Sequence, residues 1–321
     1  MQRVSIIVPA FNAAKYLGDC LDSLVRQTFQ AIEIIVIDDG STDNTASIVK
    51  GYADTDDRVR LIDLARNYGI WEARRRGVEL SSCEYVCFVD SDDCVSVGMI
   101  DAMLKRIIAN ESDIAVCGHR VIDGNNTLQK GIKKFGDQVD SSGTLKKFAE
   151  RGYGSGVLWG KIYRKGTLAK YKKMKFEERL DFGEDYLVNF GAFLEAKSVS
   201  LMSDVLYYHR KHPDSITAKK DPHISFCRQL NAFARGLQLY SPYGEDVLCC
   251  IEESFVRQFR FKAYNVKDRS KLANNREEIS RSLTIIARYR PESIYGLIHC
   301  FDDPSSARRF SLSRYIKNIF V

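Results

Sequence analysis

Short runs of β-branched and aromatic residues alternate with longer amphipathic stretches in the first part of the chain. The short runs predict strands at Val4–Val8, Ile34–Ile37, Val59–Leu64, Tyr85–Val89 and Ile114–Cys117. Between them, apolar residues recur at helical spacing, which predicts helices at Ala14–Gln27, from the capping residues Ser41, Thr42 and Asp43 to Val49, at Gly69–Leu80 and at Val97–Ile108. Strands separated by helices form βαβ units, so we expect an α/β fold with a mostly parallel sheet flanked by helices.

The pattern becomes irregular between residues 119 and 180 and changes again after Pro222. We expect a hairpin at Asp123-Gly124, a helix at Leu187–Leu194, and strands at Val199–Met202 and Val205–Tyr208. From Pro222 onward, three long segments at roughly 223–239, 246–266 and 274–288 favour helices. We therefore predict two domains, residues 1–220 and a mainly helical C-terminal extension at 221–321.

Composition narrows the class of protein. The 321 residues are 45% hydrophobic and 28% charged, which excludes disorder and low complexity. No apolar run approaches the roughly 18 residues that span a bilayer, and the N-terminus is typical of a strand and not of a signal peptide. Nine cysteines without a CxxC pair indicate reduced thiols in a cytoplasmic protein, most of them acting as small buried hydrophobic residues.

The net charge of +6 is concentrated in one region. Residues 222–321 contain 16 Lys and Arg against 10 Asp and Glu, so the excess lies wholly there. At its end, residues 307–321 mix basic and apolar side chains in a pattern that suits an anionic membrane surface. The alternative is a helix packed on the domain or in a homodimer. No basic-aromatic motif of known type appears, so we expect no nucleic-acid partner.

Acidic residues follow two of the predicted strands. Asp38 and Asp39 end the second strand, and Asp90, Asp92 and Asp93 end the fourth. Ligands of open α/β sheets bind beyond the carboxyl ends of the strands, so these carboxylates are expected to meet at one edge. Such a cluster favours a hard divalent cation such as Mg²⁺ or Mn²⁺. The alternative is that each cluster only caps the next helix.

The chain resembles a known family in the order and spacing of its motifs. These are SIIVPAFN from Ser5, QTF from Gln27, VIDDGSTD from Val36 and FVDSDD from Phe88, followed more loosely by WGKIY from Trp159, Gly183-Glu184-Asp185 and YYHR from Tyr207. Together they resemble family 2 glycosyltransferases of the GT-A fold. The resemblance implies inverting transfer from a nucleotide-diphosphate sugar to a saccharide or lipid-linked saccharide, with Mn²⁺ or Mg²⁺. Polysaccharide or glycolipid assembly is the expected setting, at the inner face of the membrane or free in the cytoplasm.

The resemblance also implies a donor site, and it favours UDP. Its residues would be Pro9, Ala10 and Phe11 around the base, Asp39 as acceptor of the uracil N3–H, Arg74 near the diphosphate, and Asp90 with Ser91 on the donor. Phe11 offers a face on which a base can stack. Arg75 departs from the family pattern, where asparagine is usual. The alternative for Arg74–Arg76 is an exposed helical face.

Metal, base and acceptor roles are implied in the same way. Asp92 would bind the metal, with Asp90 and His209 as further ligands, although His209 also fits a purely structural role. Asp93 is expected to cap the following helix or orient its neighbour. Asp185 would be the catalytic base and Glu184 would hold sugar hydroxyls, although both also suit a helix N-terminus.

Two acceptor-side positions and two other functions stay open. Trp159 would face the acceptor, with a buried core tryptophan as the alternative. Lys161 would approach the diphosphate or else be solvated. A nucleotide-sugar-binding module without catalysis is one alternative function, which the presence of Asp185 disfavours. A sugar nucleotidyltransferase is the other, but Phe11-Asn12-Ala13-Ala14 lacks the Gly-rich basic signature expected after the first strand.

Overall fold

The structure is a computed structural model, and it describes residues 2–154, 156–174, 183–213, 215, 221–265, 272 and 274–294. The strands are β1 (Val4–Ala10), β2 (Ile32–Asp38), β3 (Val59–Asp63), β4 (Tyr85–Phe88), β5 (Cys94–Val95), β6 (Ile114–Ile122), β7 (Leu128–Lys133), β8 (Gln138–Asp140), β9 (Lys161–Arg164) and β10 (Val199–Arg210). The helices are α1 (Ala14–Val25), α2 (Thr45–Ala53), α3 (Ile70–Leu80), α4 (Met99–Ala109), α5 (Thr144–Ala149), α6 (Ala169–Lys173), α7 (Glu184–Glu195), α8 (Pro222–Tyr240), α9 (Glu245–Asn265) and α10 (Arg276–Tyr289).

The parallel part of the sheet is built on β1, whose residues are all buried. β1 pairs in parallel with β2 on one side and β4 on the other, and β2 pairs in parallel with β3. Strands that are covered on both faces are continuous apolar runs, which explains why Val4–Val8 and Ile34–Ile37 are visible in the sequence. The same pairing brings the carboxyl ends of β1, β2 and β4 to one edge.

The other half of the sheet is mixed. The strand order is β3-β2-β1-β4-β9-β6-β10-β5, with β7 on β6 and β8 on β10, which makes ten strands in the described part of the chain. β6 and β10 are parallel, whereas β9 runs antiparallel to both β4 and β6. The predicted α/β fold with a sheet flanked by helices is confirmed, and the parallel order of its first four strands is as expected. The antiparallel insertion of β9 was not predicted, because it falls in the irregular region.

β10 is one strand where the sequence predicts two. It runs from Val199 to Arg210, and its register against β6 shifts between Leu201 and Val205. Ser203 and Asp204 are exposed at that shift. Such a bulge inserts residues without ending the strand, so the polar pair only imitates a turn in the sequence.

Two glycines allow close approaches near the carboxyl edge. Gly40 has φ +73°, and a Cβ there would lie 2.5 Å from the carbonyl carbon of Arg66. At Gly77 in α3, a Cβ would lie 2.3 Å from Cγ2 of Ile7 in β1. A side chain at either position would push apart the segments that carry the candidate site.

The chain divides into two compact units. The first unit contains residues 1–148, 152–181 and 188–215, and the second contains 149–151, 182–187 and 216–321. The long C-terminal stretch of the second unit starts close to the predicted boundary at 220/221. Its two short segments, 149–151 and 182–187, carry no signal in the hydrophobic pattern that would have assigned them there.

The second unit contains the helices expected after Pro222. α8 begins with a capping bond in which Asp221 accepts from the backbone N–H of His223 at 2.7 Å. Phe233 of α8 stacks on Phe255 of α9 with ring centroids 5.2 Å apart. Arg290, just after α10, is 6% exposed and forms an ion pair with Glu245. Residues 307–321, on which the membrane prediction rests, lie outside the described part of the chain.

Two further sequence predictions can be compared with the described residues. Five of the eight described cysteines are buried, and all eight are free thiols. This is the placement expected of small apolar side chains. Within the described ranges, no helix combines the length and the apolar character needed to cross a membrane.

Candidate active site

The centre of the candidate site is the acidic turn Asp90–Asp93, which follows β4. The turn is closed by the backbone N–H of Asp93, which donates to the carbonyl of Asp90 at 3.0 Å. Asp90, Ser91 and Asp92 are partly exposed, whereas Asp93 is only 1% exposed. The turn therefore presents two carboxylates outward and keeps the third inside.

Asp93 is held by β10. The hydroxyl of Tyr207 donates to Oδ2 of Asp93 at 2.6 Å, and the backbone N–H of Arg210 donates to Oδ1 at 2.7 Å. His209 Nδ1 lies 3.3 Å from Oδ1. Burial raises the pKa of Asp93 to about 6, and the charges of Asp90 and Asp92 add to the rise, while the hydrogen bond to His209 opposes it. The cap predicted for Asp93 is thus a long-range anchor between the turn and β10.

Arg210 is the second anchor, and its side chain is fully buried. Its Nε donates to the carbonyl of Asp92 at 2.7 Å, and its Nη2 lies 3.0 Å from Oδ2 of Asp19 in α1. Its guanidinium also stacks over the ring of Tyr16 at 4.8 Å. Arg210 therefore fixes the acidic turn to α1 and β10 through one planar group with several donors.

Arg74 reaches the turn from α3. Its Nη2 lies 2.7 Å from Oδ1 of Asp90, and the side chains are 2% and 26% exposed respectively. The alternative interpretation of Arg74 as part of an exposed helical face is therefore wrong. Arg75 is also buried, through an ion pair with Glu72 at 2.6 Å, whereas Arg76 is half exposed. Arg74 thus lies beside the acidic turn, and its expected role near the diphosphate stays a prediction.

Asp92 contacts a histidine that was not predicted. His212 Nε2 lies 3.0 Å from Oδ2 of Asp92, and its ring packs against Tyr16 at 4.5 Å. His209, the histidine that was predicted, contacts Asp93 instead. The pKa of His209 is raised. Burial alone would lower it, but the hydrogen bond to Asp93 and the negative charges of the neighbouring aspartates outweigh the effect of burial.

The side chains of this turn fit a divalent cation that takes some of its ligands from the protein and the others from a substrate and water. No group of three or more His, Cys, Asp or Glu side chains in the described residues is arranged as a metal cage. The oxygens of Asp92 and Asp90, with one imidazole, supply part of a hard or borderline coordination shell. Mg²⁺ typically uses one or two carboxylates and takes its other ligands from water and phosphate oxygens.

The loops after β1 and β2 lie beside each other and are tied together. Asn12 donates its backbone N–H to Oγ of Ser41 at 2.9 Å, and its side-chain oxygen accepts from the N–H of Thr42 at 2.8 Å. Pro9 and Ala10 are buried at the end of β1, whereas Phe11 is 48% exposed. This places an open aromatic face at the carboxyl edge, as stacking on a base requires.

Asp39 is buried at the same edge, with 3% exposure. Its Oδ1 accepts from the N–H of Tyr68 at 2.8 Å, and its Oδ2 accepts from the N–H of Gly69 at 2.7 Å. The carboxylate thus fixes the entry to α3. A carboxylate oxygen has more than one lone pair, so the expected contact to a uracil N3–H stays a prediction.

Trp159 and Lys161 are both buried. Trp159 is 7% exposed and stacks on both Tyr207 and His209, with ring centroids 4.6 and 5.3 Å apart respectively. This packing is what the core alternative describes, and the acceptor-side role of Trp159 stays a prediction. Lys161 is 2% exposed and donates to the carbonyl of Val157 at 2.6 Å, so the interpretation as a solvated lysine is wrong.

Glu184 and Asp185 occupy the first turn of α7, as predicted for carboxylates that favour a helix N-terminus. Glu184 is 9% exposed, and Asp185 is partly buried. Both belong to the second unit, whereas the acidic turn belongs to the first. The catalytic role of Asp185 and the hydroxyl-binding role of Glu184 stay predictions.

These observations can be compared with known proteins. The model of the family described as Glycosyl transferase family 2 matches residues 5–179. The chain belongs to this family. The matched region contains β1 to β4 and the acidic turn, so the family 2 motifs coincide with the carboxyl edge of the sheet.

Sequence relatives agree with family 2 membership. The chain is 34% identical over 218 residues to EpsJ of Bacillus subtilis strain 168, an uncharacterized glycosyltransferase. The aligned region covers 67% of this chain and 62% of EpsJ. It is 32% identical over 217 residues to the poly(ribitol-phosphate) β-N-acetylglucosaminyltransferase TarS of Staphylococcus aureus strain MW2, which is 65% of this chain and 35% of TarS. The chain thus matches less than two thirds of the length of either relative.

The fold extends the likeness to most of the chain. The crystal structure of S. aureus TarS 1–349 with UDP-GlcNAc superposes with a TM-score of 0.68 at 22% identity, over 92% of this chain and 84% of that chain. This agreement supports the GT-A-like fold.

Proposed function

We propose that this family 2 member is an inverting glycosyltransferase that moves a sugar from a UDP-sugar to a saccharide or lipid-linked saccharide. The observation that carries the proposal is the acidic turn, where Asp90 and Asp92 face outward beside the buried Arg74. Fixed carboxylates next to a buried guanidinium suit a diphosphate that is bound together with a metal ion. The fold-level likeness to TarS in complex with UDP-GlcNAc supports UDP as the nucleotide.

The donor site combines residues from three strand ends. Phe11 would stack on the base, Asp39 would accept its N3–H, and Ser91 with Asp90 would contact the ribose or diphosphate. Pro9 and Ala10 would shape the floor below the base. Arg74 would contact phosphate oxygens beside Asp90.

A divalent cation is part of this proposal. Asp92 would hold Mn²⁺ or Mg²⁺, with Asp90 and either His209 or His212 as further ligands. When bound, the ion neutralises charge that accumulates on the departing UDP. His209 has the arrangement typical of metal-binding histidines, in which a carboxylate holds one ring nitrogen and leaves the other for the ion. The anchoring of the turn by Arg210 would keep Asp92 in place without a protein cage.

The chain's own residues would supply the proton transfer. The acceptor oxygen attacks the anomeric carbon and forms the new glycosidic bond as the bond to the UDP oxygen breaks. Asp185 takes the hydroxyl proton, and UDP leaves with the bonding electron pair. A single displacement inverts the anomeric configuration. Glu184 would orient sugar hydroxyls, and Trp159 would support the acceptor side from the core.

The names of the relatives support a proposal for the acceptor class. TarS acts, by its name, on poly(ribitol-phosphate), and EpsJ is a glycosyltransferase. We propose an acceptor in polysaccharide or teichoic-acid-like polymer synthesis, reached in the cytoplasm or at the inner face of the membrane.

The direct test is a panel of nucleotide sugars with Mn²⁺ and candidate saccharide acceptors, with release of the nucleotide diphosphate as the readout. We expect UDP release with one UDP-sugar, and we expect the same donor to raise the melting temperature when Mn²⁺ is present. Absence of turnover and of UDP binding across the panel would contradict the proposal. Pyrophosphate release from UTP and a sugar phosphate would favour a nucleotidyltransferase instead.

Two variants separate the proposed roles. Asp185→Asn should keep Mn²⁺-dependent donor binding and lose transfer, because the base acts only on the acceptor. Asp92→Ala should lose both. Asp101→Ala, an exposed aspartate paired with Lys105 in α4, is the matched control and should keep both. Equal loss of donor binding in Asp185→Asn and Asp92→Ala would refute the division of roles.

A further inference from the structure

A cleft of about 600 Å³ opens on the first unit beside α1, and the proposed reaction does not use it. Strands β5, β6 and β10 form its other walls, and the turn between β6 and β7 forms its rim. Its volume lies within the range of small-molecule sites, roughly 300 to 1,000 Å³. Cys94 and Val95, which directly follow the acidic turn, belong to its lining.

The lining of the cleft contains an aliphatic surface. It is formed by Val95, Val97, Ile122, Leu128 and Val205. Val97 is 50% exposed and Leu128 is 54% exposed, which is high for large apolar side chains. Leu128 and Ile122 are cross-strand partners in β7 and β6, so the surface continues from the floor to the rim. An apolar segment of a ligand placed there would remove this surface from water.

The charged groups of the lining are paired except at one position. Asp19 lies 3.0 Å from Arg210, and Asp22 lies 3.0 Å from Arg26. Arg120 has no carboxylate within ion-pair distance among the residues that the structure describes. Its Nε is buried and lacks a hydrogen-bond partner in that same part of the chain. A guanidinium without a carboxylate partner in the wall of a cleft offers charge-assisted hydrogen bonds to an anion that enters the cleft.

We propose that this cleft binds an amphiphile whose anionic head, a phosphate or a carboxylate, pairs with Arg120 while its apolar chain lies on the aliphatic surface. Arg120 is the cross-strand neighbour of Ile132 in β7 and Tyr208 in β10, so a cation and apolar groups stand side by side. A purely polar anion would leave the aliphatic surface wet, and a neutral apolar ligand would leave Arg120 unpaired. The site needs neither a nucleotide sugar nor catalysis.

The cleft shares a wall with the acidic turn. Asp19 and Cys94 line the cleft, and both contact Arg210, with Cys94 Sγ 3.3 Å from Nη2. Arg210 in turn holds the carbonyl of Asp92. An occupant of the cleft therefore lies one side chain away from the group that anchors the acidic turn, although it contacts none of the proposed donor residues.

The test is calorimetric titration of the full chain with octyl phosphate below its micellar concentration. We expect saturable binding with one site, and binding at least about tenfold weaker for inorganic phosphate and for octanol. Arg120→Gln should weaken octyl phosphate binding about tenfold or more, and Arg120→Lys should keep most of it. Equal affinity for inorganic phosphate and octyl phosphate would overturn the proposal, because the aliphatic surface would then have no role.

Matched variants separate a local effect from a general one. Val97→Asp, at an exposed position in the lining, should weaken binding about tenfold, and it keeps the proposal testable if Arg120→Gln fails to fold. Val139→Asp is the apolar control, since Val139 is 45% exposed on β8 and is not among the lining residues. Lys130→Gln removes one exposed charge from β7 outside the lining. Both controls should bind within about twofold of the parent, and equal loss in controls and cleft variants would overturn the proposal.

Vesicle flotation distinguishes the two sources of such a ligand. Vesicles of phosphatidylcholine with phosphatidic acid are compared with phosphatidylcholine alone. Flotation that needs both phosphatidic acid and Arg120 would identify a membrane lipid as the occupant. Saturable octyl phosphate binding without such flotation would identify a soluble amphiphile. Failure of both assays would overturn the proposal, whatever the outcome of the nucleotide-sugar panel.

Discussion

Glu33 and Asp93 are both buried carboxylates of the same sheet, but they lie toward opposite edges and in opposite surroundings. Glu33, near the amino end of β2, is 6% exposed and collects donors. Its Oε1 accepts from Oγ of Ser5 at 2.5 Å and from the backbone N–H of Ser82 at 2.6 Å. Burial alone would raise the pKa of Glu33, but these hydrogen bonds outweigh it and hold the pKa below 4.5.

Asp93, at the carboxyl edge, has donors as well but lies among other carboxylates. Burial, with the charges of Asp90 and Asp92, raises its pKa even though Tyr207, Arg210 and His209 surround it. The arrangement at Glu33 stabilises the fold by itself. The arrangement at Asp93 concentrates negative charge, and a further cation would relieve the repulsion that remains.

The comparison teaches how to separate a structural acid from a functional one in this sheet. A carboxylate whose hydrogen bonds within the protein outweigh the cost of its burial, such as Glu33, needs no ligand to stabilise its charge. Carboxylates that repel one another at the carboxyl end of a strand destabilise the folded protein. Such destabilising clusters are typical of binding sites. The expected effects of substitution follow this division.

The largest expected effect is loss of catalysis in Asp92→Asn with no loss of stability. Transfer should fall at least about a thousandfold, because cation stabilisation of the leaving group contributes several kcal/mol. The free energy of unfolding should stay constant or rise, because one like charge is removed from the turn. Initial rates with excess Mn²⁺ and urea unfolding measure the two quantities. A variant that keeps a tenth of the rate would place the essential carboxylate elsewhere.

The next effect should be structural, at the anchor that holds the acidic turn. Arg210→Met removes the ion-pair partner of Asp19 and the side-chain donor to the carbonyl of Asp92, and loss of one partner from a buried pair costs about 3 to 5 kcal/mol. Because Asp19 is half exposed, we expect the free energy of unfolding to fall by about 3 kcal/mol, the lower end of this range. Arg26→Met is the control: Arg26 is 68% exposed in its pair with Asp22, so it should change the unfolding free energy by less than about 1 kcal/mol. Equal effects would show that Arg210 is not an anchor.

Some of this site was predictable from sequence, and the reason is local. β1, β2 and β4 are buried on both faces, so each is a continuous apolar run that ends abruptly in polar residues. That pattern alone indicates that Asp39, Asp90 and Asp92 lie at one edge of the sheet. These aspartates follow the apolar strands directly in the sequence, so they can be found without knowing how distant parts of the chain pair.

The groups behind the turn were not predictable, because tertiary pairing brings them there. Tyr207, Arg210 and His212 lie more than a hundred residues from the acidic turn and reach it through the pairing of β10 with β5. The register shift in β10 also changes which residues face the turn. A dense group of ionisable residues at the end of a strand, from Tyr207 to His212, was the available signal, but only His209 was predicted from it.

A smaller effect is expected at the opposite edge, from Glu33→Gln. The amide keeps one acceptor oxygen but turns donors toward Ser5 and Ser82, so buried donors lose partners at about 1 to 3 kcal/mol. We expect unfolding free energy at pH 7 to fall by about 2 kcal/mol, with transfer per folded molecule unchanged. Glu79→Gln, in a half-exposed pair of α3, should change neither quantity.

The pH dependence of the Glu33 variant has a definite sign. The pKa of Glu33 is lowered in the folded state, so its contribution is present above the unfolded value of 4.5 and is lost as pH falls through the folded value. The difference between parent and Glu33→Gln should therefore be full at pH 7 and shrink steadily below about pH 4.5. A difference that stays constant down to pH 3 would mean that the charged form of Glu33 does not matter.

The smallest expected effect concerns a partly buried histidine near the acidic turn. His119 of β6 packs edge-on against Trp159 at 4.8 Å, and burial lowers its pKa to about 4, with the nearby His209, Lys161 and Lys133 adding to the shift. Since the folded pKa lies below the unfolded 6.5, the unfolded chain binds a proton first as pH falls, and stability is lost between about 6.5 and 4. His119→Gln should remove this loss, which we expect to be about 1 kcal/mol for a partly exposed ring. Urea unfolding of parent and variant at pH 7.5 and pH 5 measures it. An unchanged slope with pH would show that the pKa of His119 is the same in the folded and unfolded protein, which would contradict the prediction.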